Sequence, residues 1–155
     1  LVFTADDSTN GREVWSILPG SEARMVRDIN PEGGAGVFVL QPAGGLVYFQ
    51  AFQEATGREL WATDGTASGT YLVRDIYPGA GDSSPDELLA LGDRLVFRAD
   101  DALNGRELWR TDGTAGGTHL IKDIQPGSRS ATPQDLTVIG DRLLFTAEDG
   151  MHGRE

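Results

Sequence analysis

The chain repeats itself, and the repeat constrains the fold more than any other feature. Gly-Arg-Glu recurs at Gly11, Gly57, Gly105 and Gly153, with spacings of 46, 48 and 48 residues. A phenylalanine recurs at Phe3, Phe49, Phe97 and Phe145 with the same spacings. The 155 residues therefore divide into units 1–46, 47–94 and 95–142, followed by the start of a fourth at 143–155. The first unit is degenerate. It is one residue short in the hairpin after Trp15 and one more short before Phe49.

Each unit of about 48 residues parses into four short strands. In the third these are Leu95–Ala99, Glu107–Arg110, His119–Ile124 and Gln134–Ile139. All are rich in β-branched and large apolar residues, with glycine and proline between them. Asp64-Gly65 and Asp112-Gly113 supply the positive φ that a tight turn needs. Pro31, Pro78 and Pro126 each follow the end of a strand, because proline cannot donate to a ladder. Ser84–Leu91 has the makings of a helical turn, although its counterpart Thr132–Ile139 reads as strand. Four strands per unit predict an all-β fold of β-propeller-type blades, each of four antiparallel strands, with a partial fourth unit. The alternative is a β-trefoil, where three four-stranded units reach about this length. A duplicated start of a fourth unit has no use in a closed trefoil.

Composition then bounds the function classes. The 24 carboxylates outnumber the 13 Lys and Arg and leave a net charge of −11. That excludes nucleic-acid binding driven by counterion release and disfavours docking on an anionic membrane. The absence of cysteine excludes disulfides, thiolate zinc sites and thiol nucleophiles. The longest apolar run, Val37–Leu40, is far too short for a membrane-spanning helix.

Glu59-Leu-Trp-Ala-Thr-Asp-Gly-Thr66 and Glu107-Leu-Trp-Arg-Thr-Asp-Gly-Thr114 resemble the ELWxxDGT repeat of bacterial proteins. The resemblance spans nearly the whole chain. It is partial in the first unit, where Glu13-Val-Trp15 remains and the Asp-Gly-Thr is missing. That family occurs as tandem arrays in large, mostly secreted or surface proteins, notably of myxobacteria, and has no generally established activity. The resemblance implies a non-catalytic extracellular or cell-surface module, similar to propeller-forming arrays and part of a longer array. Three blades alone leave two faces uncovered, so neighbouring repeats or self-association are expected as partners.

Several constellations are candidates for chemistry. The loop before each Gly-Arg-Glu carries Asp6 and Asp7, Asp100 and Asp101, or Glu148 and Asp149; the second unit reads Phe52-Gln53-Glu54 there and lacks both acids. Oxygen ligands gathered around a glycine turn suit calcium, which makes these six acids the candidate metal ligands. Their spacing departs from the alternating calcium-loop pattern, and Asp and Asn also cap hairpin turns. Asp64 and Asp112 are explained by turn chemistry. Trp15, Trp61 and Trp109 could stack on sugars, as in a lectin, or fill a core in which each indole N–H needs a partner. Asp28, Asp75 and Asp123 are expected to hold backbone N–H groups or the arginines Arg12, Arg58 and Arg106.

Catalysis finds little support. His119 and His152 have no counterparts in the other units. Gly65-Thr-Ala-Ser68-Gly69 has the wrong spacing for a nucleophile elbow, and Gly33–Gly36 does not lie between a strand and a helix. Carboxylate pairs for glycoside hydrolysis depend on geometry alone, so a carbohydrate-active enzyme is the competing class. Acids recurring in register behave as structural residues do, whereas an active site is normally unique. The ligand classes left are carbohydrate and protein.

Overall fold

A computed structural model describes residues 1–155. It contains thirteen strands and no helix, arranged as four small antiparallel sheets in chain order. The first sheet is β1 (Val2–Asp6), β2 (Arg12–Ser16) and β3 (Arg24–Arg27). The second is β4 (Leu40–Ala43), β5 (Leu46–Gln53), β6 (Gly57–Thr63) and β7 (Thr70–Arg74). The third is β8 (Asp86–Leu91), β9 (Arg94–Asp100), β10 (Arg106–Thr111) and β11 (His119–Lys122). The fourth is the hairpin β12 (Gln134–Ile139) and β13 (Arg142–Thr146), extended by an isolated bridge between Glu148 and Arg154.

The sheets are offset by one strand from the sequence units. The last strand of each unit pairs with the phenylalanine strand of the next: β4 with β5, β8 with β9, and β12 with β13. Two-residue glycine turns make these pairings local. Ser84–Leu91 is therefore not helical: its cross-strand partner β9 draws it into a strand. Ser84 and Glu87 have positive φ, beside a bulge between Asp86 and Leu89. Thr132 and Asp135 repeat this beside the bulge in β12.

A second bulge recurs at Val14/Trp15, Leu60/Trp61 and Leu108/Trp109. Strand alternation then sends neighbouring side chains to opposite faces. Phe49 lies across from Trp61, and with Ala51 both pack against Val14, Val26, Ile29 and Val37 from the first unit. Tyr48, Leu60 and Val73 pack the other way, onto Phe97, Ala99 and Trp109 of the third sheet. The second sheet is thus buried on both faces, and two apolar seams, each with a Phe–Trp pair, hold successive sheets together.

Candidate functional site

In an antiparallel meander alternate connections fall at opposite ends. The loops before Gly-Arg-Glu share an end with the connectors that run from each sheet to the next. Backbone hydrogen bonds tie them: Arg58 N–H donates to Asp82 at 2.7 Å, and Asp100 N–H donates to the Ser83 carbonyl at 3.0 Å. Phe52 N–H reaches the Ala35 carbonyl at 2.8 Å, and Glu148 N–H reaches the Ala131 carbonyl at 2.8 Å. This end gathers the acidic loops before Gly-Arg-Glu, so it is the candidate functional face, while the Asp64 and Asp112 turns lie at the opposite end.

Its foundation is a residue that sequence reasoning passed over. Glu13, Glu59 and Glu107, the acids of Gly-Arg-Glu, are completely buried. Glu59 accepts hydrogen bonds from Ile76 N–H (3.1 Å), Tyr77 N–H (3.0 Å), Ser83 N–H (3.2 Å) and the Ser83 hydroxyl (2.6 Å). Glu107 accepts from Ile124, Gln125 and Ala131 in the same pattern, and Glu13 from Ile29 and Ala35. Each glutamate thus replaces a strand partner for a connector that has none, satisfying amides whose burial unpaired would be costly. Burial pushes all three carboxyls above the ordinary range, and Glu59 to about 7, against the pull of its hydrogen bonds. The signal was present in the sequence as a charge recurring in register beside apolar strand residues.

The acidic loops themselves are self-contained. Asp7 accepts from Thr9 N–H, Asn10 N–H and the Asn10 side-chain amide, at 3.0, 2.7 and 2.7 Å. Asp101 makes the same three bonds to Leu103 and Asn104. Asp149 accepts from Met151 N–H and His152 N–H and meets His152 Nδ1 at 2.7 Å. Asp6 and Asp100 each take one N–H two residues on. Glu148 faces Arg154 at 3.8 Å. Hydrogen bonds to the charged form pull the Asp7 and Asp149 carboxyls below the usual range, led by the N–H groups of Asn10 and His152 respectively. Calcium takes six to eight oxygens. Here Asp7, Asp101 and Asp149 serve their own turns through both oxygens, Asp6 and Asp100 through one, and no three His, Cys, Asp or Glu side chains come together in a group able to hold a metal. As they stand, Asp7, Asp101 and Asp149 cap their own turns.

The remaining expectations divide. Asp64 and Asp112 cap their turns through Thr66 and Thr114, whose hydroxyls lower both carboxyls. Asp75 and Asp123 hold the N–H groups of Gly79 and Gly127. The arginines expected beside them go elsewhere. Arg12 and Arg58 lie over Phe38 and Phe52, and Arg106 pairs with Asp86 at 2.7 Å. Trp61 and Trp109 are core residues, while Trp15 is half-buried. Their indole N–H groups find no hydrogen-bond partner within the chain, contrary to the expectation.

One cavity of about 340 Å³ lies away from this end, between the third and fourth sheets. Val96, Leu108, Ile121 and Ile124 form one wall, and Leu143 and Phe145 of the fourth sheet form the other. No family model, curated protein or solved structure matches this chain.

Proposed function

We propose that the chain is a non-catalytic, propeller-type repeat module that serves as a binding or assembly scaffold, extracellular or at a bacterial surface. The observation that carries this reading is a division of labour among the repeated positions. Glu13, Glu59 and Glu107, buried beneath the connectors, recur in register, as do the core residues Phe49 and Phe97 and Trp61 and Trp109. The positions of Asp6 and Asp7, held by Phe52 and Gln53 in the second unit and by Asp100 and Asp101 in the third, vary at the end of the loops before Gly-Arg-Glu. A constant frame with interchangeable loops is how scaffolds present several contacts at once. Four-stranded meanders stacked face on face support blades over a trefoil, and the ELWxxDGT resemblance supports the location.

A glycan array and a released-sugar assay test this reading together. Binding without sugar release fits a lectin-like scaffold. Sugar release would overturn the non-catalytic assignment and move the acidic loops into an active site.

A further inference from the structure

The second unit departs from the others at the arginine of Gly-Arg-Glu. Across the hairpin Arg12 faces Asp6, Arg106 faces Asp100 and Arg154 faces Glu148, whereas Arg58 faces Phe52. A second acid, Asp86, pairs with Arg106 at 2.7 Å. The residue 48 positions before Asp86 is Phe38. Both positions that carry an acid beside Arg106 therefore carry phenylalanine beside Arg58.

This leaves one guanidinium without an internal partner. Arg106 also donates to the Ser84 carbonyl at 3.0 Å, and Arg154 donates to the Thr132 carbonyl at 3.1 Å. Arg58 enters none of the ion pairs of the structure and makes no matching bond. Its guanidinium lies over the Phe52 ring, 5.8 Å from the centroid. Stacking on a ring fixes the plane of the fork and leaves its edge donors free. Phe38 stands beside it. A Cβ added at Gly36 would lie 3.6 Å from Arg58 Nη1 and 3.7 Å from Phe38 Cε2. Phe38 is 65% exposed, large and apolar though it is, and Arg58 is half-buried. The second sheet has a neighbouring sheet packed on each face, so the site lies inside the array.

We propose that Arg58 and Phe38 bind a sugar that carries one carboxylate, a uronic-acid residue. The assignment deepens the scaffold reading above and rests on it. The guanidinium fork donates two parallel N–H bonds to the carboxylate, and the apolar face of the sugar ring lies on Phe38. The surroundings select a single charge. Asp6, Asp7, Asp100 and Asp101 stand on the flanking loops at the same end, within a chain of net charge −11. Those acids repel an extended polyanion, such as an acidic peptide. One carboxylate set against an apolar ring face meets the one unpaired arginine and the exposed phenylalanine together.

Glucuronate, with glucose as its neutral counterpart, probes the site in an NMR titration of the whole chain followed at the Gly36 and Arg58 amides. Glucuronate should bind about tenfold or more tightly than glucose, and added salt should weaken it. Arg58→Gln should weaken glucuronate about tenfold or more, whereas Arg24→Gln, at an exposed arginine of β3, should leave it unchanged. Phe38→Asp gives Arg58 the partner that Asp86 gives Arg106, so it should abolish binding. Because Phe38 is exposed, the melting curve of that variant should stay in place, which separates loss of the site from loss of the fold. Absence of glucuronate binding, equal binding of glucose, or binding that Arg58→Gln and Phe38→Asp both tolerate overturns the proposal. A glutamate-rich peptide that binds through Arg58 where glucuronate does not would show a protein-binding site instead. Neutral glycans held equally by the parent chain and the Arg58→Gln variant leave the scaffold reading standing and overturn this site alone.

Discussion

Glu59 and Ser83, 24 residues apart, meet through a 2.6 Å hydrogen bond, and both are completely buried. The pair joins a strand of the second sheet to the connector leading to the third. Glu59 is held up to about 7 by burial, against an ordinary value of 4.5. Between those values the native state keeps a proton that the unfolded state has lost. Stability therefore falls as pH rises from about 4.5 to 7 and levels off above it. Glu13 and Glu107 shift in the same direction and add to the slope. Urea midpoints measured across this window should show the decline. Glu59→Gln should flatten it, and an unchanged slope in that variant would remove Glu59 as its source.

Ser83→Ala should be mild. The equivalent positions in the other connectors are Ala35 and Ala131, so the frame accepts alanine. Loss of one buried hydrogen bond to a charged group costs about 1.5–3 kcal/mol. The hydroxyl also lowers the Glu59 carboxyl, so its removal should move the upper end of the pH window upward. Denaturant titrations at two pH values measure both effects.

Trp61→Ala should cost about 3–5 kcal/mol, because a side chain only 2% exposed leaves a cavity in the first seam. Trp15→Ala should cost clearly less in the isolated chain, since one side of that ring is open. Equal losses would show that the first sheet is covered in solution.

Gly105 has φ +66, and a Cβ there would lie 2.6 Å from the Arg129 carbonyl oxygen. Gly140 has φ +64 with nothing within 4 Å. Gly140→Ala should cost about 1–2 kcal/mol from the backbone alone, and Gly105→Ala more, because the connector must also move. Thermal melts of the two variants give the comparison.

Millimolar calcium should leave the melting temperature unchanged, because the Asp7, Asp101 and Asp149 oxygens already serve their own turns. Ligand binding to the native state would raise it. A rise that Asp101→Asn removes would show that the loop reorganises around the ion.

The strand pattern and turn chemistry were legible because they are local. Leu95–Ala99 alternates and Asp112-Gly113 turns whatever surrounds them, and repetition told four times what one unit tells weakly. Ser84–Leu91, left open between helical turn and strand, marks the limit, since its strand pairing depends on β9 and not on its own residues.

The repeat alone determined that this chain is all-β, built in units of about 48 residues, and acidic at the loops before Gly-Arg-Glu. Tertiary structure alone decided the division into sheets, which depends on which edge each strand meets. It also decided the use of the two recurring acid types. Asp7 stays at the surface and caps a turn, while Glu13, six residues on, is buried beneath a connector. Sequence types them alike as carboxylates; the difference lies in the backbone N–H groups that folding brings to each.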